Sequence, residues 1–70
     1  MMPLILAEKD EELIVRKIGG SPEMRQHLED LGFTVGGAVT VVSEMGGNLI
    51  VKVKESRLAL DRELAQKIMV

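Results

Sequence analysis

Leu49, Val51 and Val53 alternate with Ile50, Lys52 and Lys54, the period-two pattern of a strand with one face buried. Ala38 to Ser43 repeats the pattern, with Val39 and Val41 set against Thr40. Between the two runs stands Met45-Gly46-Gly47-Asn48, and a Gly-Gly pair in that position predicts an antiparallel hairpin. Upstream, Glu12-Leu13-Ile14-Val15-Arg16-Lys17-Ile18 is rich in β-branched residues and predicts one strand. Its unbroken apolar stretch, Leu13 to Val15, leaves the inward face open. Leu4 to Ala7 fits a short strand or one helical turn. The acidic stretch Glu8 to Glu12, interrupted by Lys9, reads as a solvated turn.

One segment changes period. Met24, Leu28 and Leu31 recur at i, i+4 and i+7, an apolar stripe along a helix of about residues 22 to 31. Ser21 suits the N-cap, Pro22 the first helical position, and Glu23 the positive helix start. Gly32 stands where a helix reverses into the left-handed conformation, and Phe33 can then fold back on Leu28. Start, face and stop agree. The tail, Glu55 to Ile68, is less decided. Its intrinsic propensities favour a single helix. The alternative is a strand at Arg57 to Leu60, a helical turn capped by Asp61, and a closing strand at Lys67 to Val70.

Composition narrows the function. Seventy residues allow one domain, 1–70, and a chain of this size buries only about 60% of its unfolded surface. Apolar side chains are therefore read first as packing. With no cysteine there is neither a disulfide framework nor a thiolate metal site. No apolar run approaches the ~20 residues of a membrane span. The start, Met1-Met2-Pro3-Leu4, lacks a basic region and makes a poor signal peptide, so a cytoplasmic location without direct membrane insertion is expected. The net charge of −2 and a single aromatic, Phe33, oppose nucleic-acid binding, which needs basic excess and stacking platforms.

Candidate chemistry is sparse. His27 is the only histidine; Glu23 shares its helical face and Glu29 is close in sequence, but one histidine with carboxylates is an incomplete metal site. A surface histidine is the simpler reading, and no metal ligand is assigned. Ser21, Ser43 and Ser56 lack a neighbouring base, and the seven glycines form no phosphate loop. Enzyme chemistry and a bound cofactor are not expected. Lys52, Lys54 and Arg57 fit the outer face of an edge strand, where charge prevents aggregation. Met45, beside a glycine pair at a hairpin tip, is unsuited to a core and suits adaptable contacts with a partner.

The order of marks resembles a known family. Val15-Arg16-Lys17-Ile18-Gly19-Gly20 leads into Arg25-Gln26-His27-Leu28-Glu29-Asp30-Leu31-Gly32-Phe33. A Gly46-Gly47 hairpin follows, then Arg57-Leu58-Ala59-Leu60, and finally Ala65, Ile68 and Val70. Over essentially its full length this resembles the ferrous-iron transport protein A (FeoA) family. The resemblance implies a mainly β, small α+β fold: an SH3-like β-barrel with one inserted α-helix and a short C-terminal helical turn. It also implies strand, turn, strand for the tail. Thr34-Val35, Asn48 and Glu55-Ser56 depart from the family pattern, all at turns.

By the same resemblance, the expected function is that of a small accessory protein of ferrous-iron uptake. Its expected partner is the cytosolic portion of a FeoB-type membrane transporter, which would recruit it to the inner membrane face. The candidate docking residues are Met45, Gly46, Gly47 and Asn48, with Arg25 on the helix. Weak homo-oligomerisation is a secondary expectation. Two rival readings stand beside it. One is a metal-responsive SH3-like regulatory domain that binds a divalent transition metal and dimerises; the other is a small RNA-associated barrel, which the charge opposes.

Overall fold

The computed structural model describes residues 1–70. Its strands are β1 (Glu12–Ile14), β2 (Lys17–Ile18), β3 (Ala38–Met45), β4 (Asn48–Val53), β5 (Ser56–Leu60) and β6 (Ile68–Met69). Two helices, α1 (Pro22–Asp30) and α2 (Arg62–Ala65), and a 3₁₀ turn at Leu4–Leu6 complete the chain. Four antiparallel strands form one sheet in the order β1-β3-β4-β5, and β2 pairs with β6 in a second. The sheets enclose a core of 14 buried residues, all apolar, with Phe33, Leu4, Leu28 and Leu60 its largest members.

The expected strand from Glu12 to Ile18 is two strands in different sheets. Val15 and Ile18 are both buried although three residues apart, whereas a flat strand turns positions three apart to opposite faces. The chain therefore kinks at Arg16-Lys17, both exposed. The peptide between Val15 and Arg16 marks the crossing. The Val15 carbonyl accepts from the Gly36 amide at 2.8 Å, beside the large sheet, and the Arg16 amide donates to the Met69 carbonyl at 2.7 Å. Beyond β6, reciprocal bonds of 2.8 and 2.7 Å join Met2 and Val70, bringing both chain ends together.

The tail is not one helix. Leu60, Ile68 and Val70 are buried in strand-like alternation with exposed or half-buried neighbours, so packing overrides helix propensity. Asp61 accepts from the Leu64 amide at 2.8 Å and starts α2, which buries Ala65. The closing strand is the shorter Ile68–Met69. Leu4 to Leu6 takes the helical alternative, with Leu4 fully buried. The acidic turn before β1 is pinned to β3: the Asp10 amide donates to Val41 at 2.7 Å.

Helix α1 begins and ends as its residues dictate. Ser21 caps it by accepting from the Met24 amide at 3.2 Å, and Pro22 opens its first turn. At the other end Leu31 is the C-cap and Gly32, at φ +110°, reverses the chain. In the sheet, β3 and β4 shift register between Val41 and Ser43. This bulge lets Val41 stay buried while Ser43 pairs with Ile50 further along.

Candidate docking surface

The β3–β4 hairpin ends in a two-residue turn. Met45 pairs with Asn48, and Gly46 and Gly47 have φ values of +58° and +84°. Positive φ at both central positions is the I′ geometry, whose twist matches that of the flanking strands. Asn48 therefore leaves the turn intact despite departing from the family pattern. Nothing lies within 4 Å of where a Cβ on either glycine would be. Met45 is 71% exposed, so a flexible apolar side chain projects at the hairpin tip.

Of the candidate residues, Met45, Gly46, Gly47 and Asn48 are brought together and all are exposed. Arg25 is exposed on a separate element, α1, and no hydrogen bond ties it to the hairpin. His27 is exposed in the last turn of the same helix. No three His, Cys, Asp or Glu side chains converge in a way that could hold a metal ion.

A second surface emerges from sheet register. Glu12 pairs with Thr40, Thr40 with Lys52, and Lys52 with Arg57, so one row crosses the whole four-stranded sheet. The buried Val39, Val41, Val51 and Val53 occupy the alternate positions, so this row lies on the outer face. Beside it is a shallow concavity of about 210 Å³, lined by Glu12, Gly32, Thr40, Lys52 and Lys54 among others. Lys54 lies over the end of α1: its Cδ is 3.8 Å from where a Gly32 Cβ would stand. The contact is made by the aliphatic stem of the lysine, which packs against the end of the helix. Lys52 and Arg57 are like charges directly opposite each other, a pairing that opposes sheet stability. Lys52, Lys54 and Arg57 do not share one edge strand as expected: Lys52 is on β4, an inner strand of the sheet, and only Arg57 is on the edge strand β5. Register separates the Lys52–Arg57 pair from Lys54, whose φ of +55° places it in the β4–β5 turn.

Such a fold, with an exposed hairpin tip, a charged outer sheet face and a wholly apolar core, defines a small SH3-like domain. The FeoA domain model matches residues 2–70, and the chain belongs to the FeoA family, a family of ferrous-iron transport accessories. It is 39% identical to a provisionally named Fe(2+) transport protein A of Methanocaldococcus jannaschii, over all of this chain and 85% of that protein. The crystal structure of an iron uptake regulatory protein (FeoA) superposes with a TM-score of 0.86 at 31% identity, covering 96% of this chain and 89% of that one. A zinc complex of Stenotrophomonas maltophilia FeoA, described as a prokaryotic SH3-domain protein, gives 0.84 at 24% identity, with 99% and 88% covered. These likenesses bear out the mainly β, SH3-like fold expected from the sequence. The two sheets stay separate in hydrogen bonding, so the barrel is open.

Proposed function

We propose that this chain is a non-enzymatic, single-domain accessory of ferrous-iron uptake that docks on the cytosolic portion of a FeoB-type transporter through the β3–β4 hairpin tip. Met45 carries the reading: a large apolar side chain is left 71% exposed beside a turn whose two glycines take positive φ. Met45, Gly46, Gly47 and Asn48 form the contact, and Arg25 contributes charge from α1. Covering its apolar surface favours docking, against about 1.5–2 kcal/mol of methionine rotamer freedom lost on burial. The chain works in the cytoplasm, and no helix is long and apolar enough to cross a membrane.

The decisive experiment is co-purification of the chain with the cognate transporter in nanodiscs. Retention by the transporter's cytosolic portion supports the proposal. Failure to associate refutes it. The metal-responsive alternative finds no converging set of ligands in this chain, whereas a metal site needs several donors around one point.

A further inference from the structure

The outer edge of β5 is open. The strand pairs only with β4, and none of its residues makes a backbone hydrogen bond outside that ladder. Its register identifies the free groups. The two-residue turn at Gly46-Gly47 makes Met45–Asn48 a hydrogen-bonded pair, so alternate residues of β4 from Asn48 bond to β3 and those from Leu49 bond to β5. Leu49, Val51 and Val53 face Leu60, Leu58 and Ser56. The amides and carbonyls of Arg57 and Ala59, between them, point away from the sheet. Both residues are exposed.

Arg57 is the only charged residue within β5, and the exposed Glu55 and Asp61 flank the strand at its two ends. The outer-face row starts at Glu12 and ends in Lys52 and Arg57, with no acidic group on the far side of Arg57. A strand added at the usual spacing of about 4.8 Å would place its own residue opposite Arg57. On the inner face it would meet Leu58, half-buried at the sheet margin. We infer that the β5 edge is a β-augmentation site for an extended segment of a partner protein in which acidic and apolar residues alternate. The acidic positions complete the Lys52–Arg57 row and the apolar positions cover Leu58, while Arg57 and Ala59 supply the main-chain bonds. A second copy of this chain is a poor occupant. In the register that pairs Arg57 with Ala59, so that both outward residues bond, two antiparallel β5 strands leave their Arg57 side chains diagonal to one another, a like-charge contact. The inference stands apart from the transporter reading, because it uses neither Met45 nor the hairpin tip.

The test is an NMR titration of the ¹⁵N-labelled chain with a short capped peptide alternating Glu and Val, against its Lys-Val counterpart. The Glu-Val probe should shift the Arg57 and Ala59 amides and slow their hydrogen exchange. It should bind at least ~5-fold more tightly than the Lys-Val probe, and weaken as salt rises. Arg57→Glu should reverse that preference. Ala59→Pro removes one outward N–H at a position where an edge strand tolerates proline, and should abolish the exchange protection. Its denaturation midpoint reports whether the fold is kept; if it is not, Ala59→Glu, which keeps the amide but repels the probe, replaces it. Shifts confined to the hairpin tip, equal binding of both probes, or the same β5 shifts with inorganic polyphosphate would overturn the inference. So would concentration-dependent β5 shifts without any probe, which would assign the edge to self-association.

Discussion

The amide of Phe33 donates to the carbonyl of Leu28 at 3.0 Å, and both side chains are fully buried. Together with the Gly32 amide on Glu29 at 2.9 Å, this completes a Schellman stop. The helix end and the core are thereby one feature, because the bond that terminates α1 also aims the only aromatic inward.

Replacing Gly32 should therefore be costly for a backbone reason. An added Cβ meets only ordinary contacts, the nearest Val53 Cγ1 at 3.7 Å, whereas φ of +110° is a glycine conformation. Gly32→Ala and Gly32→Val should each lose more than about 1 kcal/mol in urea denaturation. An unchanged midpoint for Gly32→Val would show that the chain does not need this reversal. Phe33→Ala should lose ~3–5 kcal/mol, a large share of the stability of a domain this small.

Lys54 should respond in the opposite sense. It holds φ of +55° in the tight turn between β4 and β5, where a side chain costs about 1–2 kcal/mol relative to glycine. Lys54→Gly should raise the denaturation midpoint, by somewhat less than that because the unfolded chain gains freedom and the packing over Gly32 is lost. Lys54→Asn should fall between the two, since asparagine tolerates this region. A lower midpoint for Lys54→Gly would mean that the lysine's place at the end of α1 outweighs its backbone strain.

These two positions show what the sequence makes legible. Helix α1 and the Gly46-Gly47 hairpin are encoded within a few residues, and both stand where local chemistry puts them. The break of the first strand is not local. It depends on the Val15 carbonyl finding the Gly36 amide and the Arg16 amide finding Met69, a partner far away in the chain. The tail is similar: from Glu55 onward its residues are good helix formers, and only packing against the rest of the core makes β5 and β6 of them. Family resemblance supplied that tail, which propensity alone misassigns. Met45's exposure followed from its glycine neighbours. The open edge of β5 did not, because an edge exists only once strand order is known.

Metal binding gives a sharp contrast between rival roles. His27 is exposed, and no cluster of three ligands forms around it or elsewhere. Anaerobic calorimetry with ferrous iron and with zinc should show no saturable heat beyond dilution, and His27→Ala should behave as the parent chain does. A saturating isotherm abolished by His27→Ala would establish the metal-responsive reading, with further ligands supplied by a second copy.

Docking through the hairpin is tested most cleanly at Met45. Because it is 71% exposed, Met45→Asp should leave the denaturation midpoint within about 0.5 kcal/mol of the parent. The same change puts a hydrated carboxylate where the apolar anchor must be desolvated, at a cost of several-fold to a hundredfold in affinity. Retention on the transporter in nanodiscs should fall accordingly, while Met45→Leu retains most of it. Arg25→Glu should act mainly on the association rate and its salt dependence, as a charge at the rim of a contact does. If Met45→Asp binds as the parent does and Arg57→Glu does not, the transporter contact lies on the β5 side of the sheet rather than at the hairpin tip.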